Sequence, residues 1–148
     1  IIESCKIKKY IVQKDESENN IRKVLNLGHT FAHAYEATLN YSKKLNHGEA
    51  VLLGIKSAAK FSLINNNLSI NNFNKIIDHL NNLNLNYKLG KYFKPNKAKK
   101  IIKFMKSDKK NKTNNINLIL LKDVGKPIIN LSFEPKKIYN FLKKELVN

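Results

Sequence analysis

The chain is poor in the residues that most often settle a function by themselves. It has no tryptophan, one cysteine, one methionine, 5 glycines and 3 prolines in 148 residues. A lone Cys5 excludes an internal disulfide, which suits a reducing compartment, and its expected role is that of a small apolar residue rather than a nucleophile. The dispersed glycines form no glycine-rich phosphate loop, so these residues alone do not explain the binding of a dinucleotide. No apolar run reaches membrane-spanning length and no signal-peptide pattern opens the chain, so a cytoplasmic location is expected. The opening IIESCK has no initiator methionine, and the expectation is one domain cut from a longer protein.

Arginine is almost absent as well: Arg22 is the single one among 28 basic residues. The net charge of +17 and pI near 9.9 invite a nucleic-acid reading. The excess is lysine spread along the chain together with abundant Asn and Ile, and A/T-rich codons produce that same bias. Base-reading arginines and interleaved aromatics are missing, so specific nucleic-acid binding is not expected. Only weak, salt-sensitive attraction to polyanions follows from the charge.

What is present concentrates between Arg22 and Glu49. This stretch holds Arg22 and three of the 4 histidines, His29, His33 and His47. A guanidinium is the better fork for a carboxylate or phosphate, so its lone use beside histidines suggests an anion site. Apolar spacing predicts one long helix from near Ile21 to near Leu39. On it Arg22, Asn26, His29 and His33 step by 4, 3 and 4 and share a face. Two imidazoles a turn apart can share a metal, and His47, after a loop, can supply a third nitrogen.

Elsewhere the pattern is mainly helical. Ile1–Gln13 fits a helical segment, and residues 14–20 a polar break. A very apolar helix near Gly48–Asn65 should be buried, with small Gly54 and Ala58 admitting a close neighbour and Gly48 marking a tight approach at its start. Ser69 is a plausible cap for a helix carrying Ile70, Phe73, Ile76, Ile77, Leu80 and Leu83, and His79 on it reads as a surface histidine. A connection over 84–96 leads to a short helix over 97–107. Ile116–Leu121 is the best strand, followed by a turn at Asp123, Gly125 and Pro127, a second strand over 128–131, and a last helix opened by residues 132–135.

The motifs NLGHTFAHAYE and HGEAVLLG, with KKYIVQKDESENNIR before them and MKSDKKN and INLILLKDVGKP after, resemble 3-dehydroquinate synthase in colinear order over most of the chain. The resemblance implies a mainly α, multi-helix C-terminal domain over residues 1–148, with a small late β-hairpin. An N-terminal α/β nucleotide-binding domain would lie outside this sequence. It implies a lyase of the shikimate pathway of aromatic amino acid biosynthesis. That enzyme converts 3-deoxy-arabino-heptulosonate 7-phosphate to 3-dehydroquinate and phosphate, using NAD catalytically and a divalent metal, Zn2+ or Co2+. Its substrate is a small sugar acid phosphate, and a homodimer is expected. The 148 residues alone are expected to turn nothing over.

Position by position, the resemblance implies that His29 and His47 are metal ligands, the third being a glutamate from an earlier segment. It implies that Lys8, Arg22, Asn26 and either Lys109 or Lys110 bind substrate. His33 corresponds to a catalytic histidine that also serves phosphate binding, and Glu18 to a general base. Beside that role, Glu18 reads equally as a helix-entry carboxylate paired with Arg22 or Lys23. Glu49 orients His47 or stabilises a helix start. Asn20 stands where the family usually has Gly, and is expected to be left-handed. Three rivals remain: another sugar phosphate cyclase, a metal-dependent polyol dehydrogenase, and a non-catalytic basic module or remnant that binds RNA.

Overall fold

Two residues without side chains set the centre of this fold. In the computed structural model, which describes residues 1–85, 88–107 and 114–147, Gly28 sits at φ +80 against the backbone of Gly54. A Cβ on Gly28 would stand 2.7 Å from the Gly54 carbonyl carbon, and a Cβ on Gly54 would collide with the Gly28 carbonyl oxygen. Helix α2 (His29–Thr38) therefore crosses α3 (His47–Ile64) at backbone contact. The close neighbour expected at Gly54 is there, and it is Gly28.

The same glycine overturns the single long helix. Residues Ile21–Asn26 form a 3-10 helix, Leu27 is extended with ψ 124, and the left-handed Gly28 starts α2 in a new direction. An α-helix does not pass through such a pair of residues. Arg22 and Asn26 thus leave the helical stripe of His29 and His33, and their 4-3-4 spacing is not what brings them together.

Around the crossing, α3 buries Ala50, Leu53, Ala58 and Phe61, as its all-round apolarity predicts. Phe61 meets Phe133 at 5.0 Å and Phe141 at 5.1 Å between ring centres, and Phe31 meets Phe141 at 6.1 Å. Of these rings Phe31, Phe61 and Phe141 are buried, and each contributes roughly 1.5–3 kcal/mol by its removal from water. Helix α5 (Ala98–Lys106) adds Ile101 and Met105 to this core, and α6 (Pro135–Glu145) adds Ile138, Phe141 and Leu142. Pro135 opens α6 at a first-turn position, while Ser132 belongs to the preceding strand rather than to the helix start.

The late hairpin pairs β1 (Ile116–Asp123) with β2 (Lys126–Phe133) in antiparallel register, turning at Gly125 with φ +76. Buried Ser62 ties it to α3, donating to the Ala58 carbonyl at 2.6 Å and accepting from the Leu121 amide at 2.9 Å. Helix α4 (Ile70–Asn82) is capped by Ser69, as expected, but buries only Leu80; Ile70, His79 and Leu83 stay exposed. The first helix, α1 (Ile2–Lys14), buries nothing, and Cys5 on it is exposed rather than packed. The architecture is mainly α with one small antiparallel hairpin.

Candidate metal and anion site

The site forms where α1, the residue 15–26 segment, α2 and the hairpin meet. Its first wall depends on one carboxylate. Asp15 accepts from the backbone N–H groups of Asn19 at 3.0 Å, Asn20 at 2.7 Å and Arg22 at 3.0 Å. These bonds, led by that from Arg22, hold its carboxyl below the usual carboxylate range. They fold residues 15–22 into a tight loop in which Glu18, not Asn20, takes the left-handed conformation, with φ 56. Asn20 is at φ −131, so the expectation that it replaces a left-handed glycine is corrected. Glu18 also lies on this loop rather than one helical turn before Arg22. Its Oε1 accepts from the Asn26 amide, and Arg22 donates through Nη1 to the Glu16 carbonyl at 2.6 Å.

The second wall carries imidazoles on the packed α2–α3 pair. The ring centres of His29, His33 and His47 lie 5.6, 6.0 and 6.2 Å apart, His33 and His47 nearly parallel at 22°. His47 starts α3 beneath a capping box, in which Asn46 accepts from the Glu49 amide and Glu49 accepts from the Asn46 amide, each at 3.0 Å. Glu49 is thereby used as a cap. Gly48 makes no tight approach, since its nearest neighbour is the Asn46 side chain at 3.6 Å from an added Cβ.

The partner of His47 is Glu36. Both carboxylate oxygens of Glu36 stand 3.1 and 3.2 Å from His47 Nδ1, and Glu36 is largely buried beneath the exposed ring. His29 Nδ1 lies 3.4 Å from the Leu27 carbonyl. Burial lowers the His29 pKa below the ordinary histidine value, an effect the Leu27 contact opposes, so the neutral ring is favoured.

The fit to a metal follows from these partners. With Nδ1 of each ring engaged by an oxygen, Nε2 is the nitrogen presented for coordination. Two imidazoles on one zinc with bonds of about 2.0–2.1 Å hold their ring centres about 5–6 Å apart, close to the 6.0 Å between His29 and His47. Among the described residues no three His, Cys, Asp or Glu side chains are arranged to enclose an ion. The 5.6 Å between His29 and His33 falls in the same range, so the three imidazoles together offer a partial donor set.

Three adjoining clefts gather these groups. One of 480 Å3 is lined by Lys8, Glu18, Arg22, Asn26 and His29, with Ile7 of α1 on its rim. A second of 460 Å3 shares Glu18, Asn26 and His29 and adds His33, Lys23 and hairpin residues. The third, of 520 Å3, is bounded by His33, Glu36, His47, Phe104 and Ser107. All the candidate metal, substrate-binding and catalytic residues line these clefts except Lys109 and Lys110, which lie outside the described residues. Sequence reasoning missed Glu36 as the partner of His47, Asp15 as the staple of the loop, and Lys23, Thr30, Asn117 and Asn130 in the second cleft. Only Asp15 left a local signal, a carboxylate followed by asparagines in a polar break.

The chain is similar to proteins of known identity. The 3-dehydroquinate synthase C-terminal family matches residues 1–111. The 3-dehydroquinate synthase of Pelagibacter ubique is 56% identical over 146 residues, covering 99% of this chain and 40% of the relative. That of Leptospira interrogans is 37% identical, covering 98% and 38%. The chain thus spans about two fifths of the length of the curated relatives it matches. Among solved structures, 2-deoxy-scyllo-inosose synthase complexed with carbaglucose-6-phosphate, NAD+ and Co2+ has the same fold. Its TM-score is 0.72 at 24% identity, over 87% of this chain and 36% of that one. The imidazole wall and the Asp15-stapled loop both fall inside the matched residues, and the chain belongs to the 3-dehydroquinate synthase family, in the region of its C-terminal domain.

Proposed function

We propose that the chain is the metal- and substrate-binding domain of a 3-dehydroquinate synthase. The whole enzyme would convert 3-deoxy-arabino-heptulosonate 7-phosphate to 3-dehydroquinate and phosphate. The observation that carries this reading is the meeting, at His29 and Asn26, of a cationic cleft with an oriented imidazole pair. A polyhydroxylated acid phosphate needs both: donors for its anionic ends and electrophilic support for its reacting oxygens.

In this reading His29 and His47 hold the metal, with Glu36 orienting His47, and a further ligand comes from residues beyond this sequence. When bound, the divalent metal supplies Lewis-acid polarisation of substrate oxygens, and NAD supplies transient hydride acceptance. This chain's own residues do the rest. Lys8 and Arg22 fix an anionic group, and Asn26 positions both substrate and the Glu18 carboxylate. Glu18 takes a proton from the side facing the first two clefts. His33, on the open side of His29, holds or delivers one near the departing phosphate. NAD binding falls mainly to the preceding residues of the full-length protein, as the two-fifths coverage of the relatives suggests.

The test is phosphate release from the heptulosonate phosphate by the full-length protein, stripped with chelator and supplied with NAD. The expected result is release restored by zinc or cobalt and lost in His29→Ala and Arg22→Ala. Intact, metal-loaded protein that releases nothing would overturn the reading. It would move the search to other sugar phosphate cyclase substrates, the second reading that the fold neighbour favours.

A further inference from the structure

The second strand of the hairpin contributes to the site a residue, Asn130, that none of the family-like motifs contains. Between the pairs Leu118–Leu131 and Leu120–Ile128 the register breaks, because two steps along β1 are matched by three along β2. The extra residue makes a bulge, and Asn130 within it has φ 61. A bulge of this kind re-aims a side chain that regular alternation would send elsewhere, and Asn is among the few residues that accept the left-handed backbone. Here the re-aimed amide lines the second cleft with Glu18, Asn26, His29 and His33.

Asn130 does not stand alone. Its Oδ1 accepts from Lys23 Nζ at 3.1 Å, across 107 positions of sequence. An ammonium has only donors, so this bond engages the amide oxygen, and the NH2 is the donor that Asn130 has to offer a ligand. The ammonium, using one N–H on Asn130, has two more. Beside them, Thr30 donates to the Asn117 carbonyl at 3.4 Å and pins β1 onto α2. The pair is thus a set of donors with one positive charge, held between two elements, in a cleft that includes His29 but not Lys8 or Arg22. Such a set suits an oxyanion and rejects a cation.

We propose that Lys23 and Asn130 form a second oxyanion-binding position, and that the bulge in β2 serves to aim Asn130 at it. The site then has a cationic end in each of two clefts and an imidazole–carboxylate middle, matching a polyhydroxylated substrate with an anionic group at either end. This deepens the proposed function and rests on it for the identity of the substrate. The shared chemistry is an oxyanion, whether the phosphate or the carboxylate of that molecule.

The test uses the full-length protein and two probes, inorganic phosphate and the heptulosonate lacking its phosphate, with binding of each measured by calorimetry. The variants are Lys23→Met and Asn130→Gly, the second keeping the left-handed backbone while removing the amide. Loss of a charged hydrogen bond should weaken one probe by about tenfold or more and leave the other within twofold. Weakening of phosphate alone assigns the position to the phosphate end, and weakening of the other probe alone assigns it to the carboxylate end. Equal weakening of both probes, or of neither, overturns the proposal. Turnover of the heptulosonate phosphate by the unaltered protein is measured alongside. If that fails while one probe still weakens selectively, the dehydroquinate reading falls and the oxyanion position stands.

Discussion

The two walls of the site are held by different physics. The imidazole wall stands on the α2–α3 crossing, where Gly28 and Gly54 touch backbone to backbone and Phe31, Tyr35 and Phe61 are fully buried. The anion wall stands on α1 and the 15–22 loop, where α1 buries no residue and one half-buried carboxylate ties three amides. The first is fixed by packing, which is dense and tolerates little change. The second is fixed by local hydrogen bonds at the surface, which are individually modest. Under the proposed function, the metal pair would gain from the rigid wall, because coordination geometry is strict, and a wall that admits and releases a charged substrate would tolerate the looser one.

Four changes would break or sharpen this contrast. The largest effect is expected at the crossing. Gly54→Ala in the full-length protein should cost roughly 3 kcal/mol or more, since the added carbon meets backbone rather than a flexible side chain. Urea denaturation that moved by less than a third of that would mean that the helices separate easily, and the rigid-wall argument would fail. Glu36→Gln should come next. It keeps the shape beside His47 but removes the carboxylate charge facing Nδ1, and metal affinity measured against a competing chelator should fall about 10–100-fold. Unchanged affinity would remove Glu36 from the account of the imidazole wall.

Asp15→Asn should act on the other wall. Replacing an oxygen acceptor by an amide loosens the loop, so KM should rise about tenfold, as expected for losing hydrogen bonds to a charged group, with kcat nearly kept. A matching fall in metal affinity would show that the two walls are coupled after all. The pH dependence has a definite sign. The Asp15 carboxyl is held below its ordinary value of 3.8 in the folded chain, so its contribution is complete above that value and is lost as pH falls through the lower one. Loosening of the loop therefore appears only in acid, and in Asp15→Asn that transition should vanish from a pH series of loop proteolysis. The smallest effect belongs to Ile2→Gln on α1. With 72% of its surface exposed, Ile2 should leave the stability of this 148-residue chain within about 0.5 kcal/mol.

The elements themselves were largely legible in the sequence. The all-round apolarity of α3, the Ser69 cap and the alternation over Ile116–Leu121 each encode their structure within a few neighbouring residues. The histidines, Arg22 and Asn26 were legible as a group because the motif containing them is contiguous. The reason first offered for their meeting, one helical face, does not hold, since the chain turns at Leu27 and Gly28. Cys5 is exposed because nothing among the described residues covers its part of α1, and helical periodicity does not say whether a face is covered.

What the sequence determined by itself was the kind of element at each position and the chemistry gathered near residues 22–49. Local propensity, caps and side-chain type are properties of a few adjacent residues. The tertiary structure alone decided that Gly28 breaks the helix, that Glu36 rather than Glu49 orients His47, and that a bulge turns Asn130 toward Lys23. Each of these depends on contact between segments far apart in the chain, where sterics and hydrogen-bond partners are set by packing that no local pattern contains.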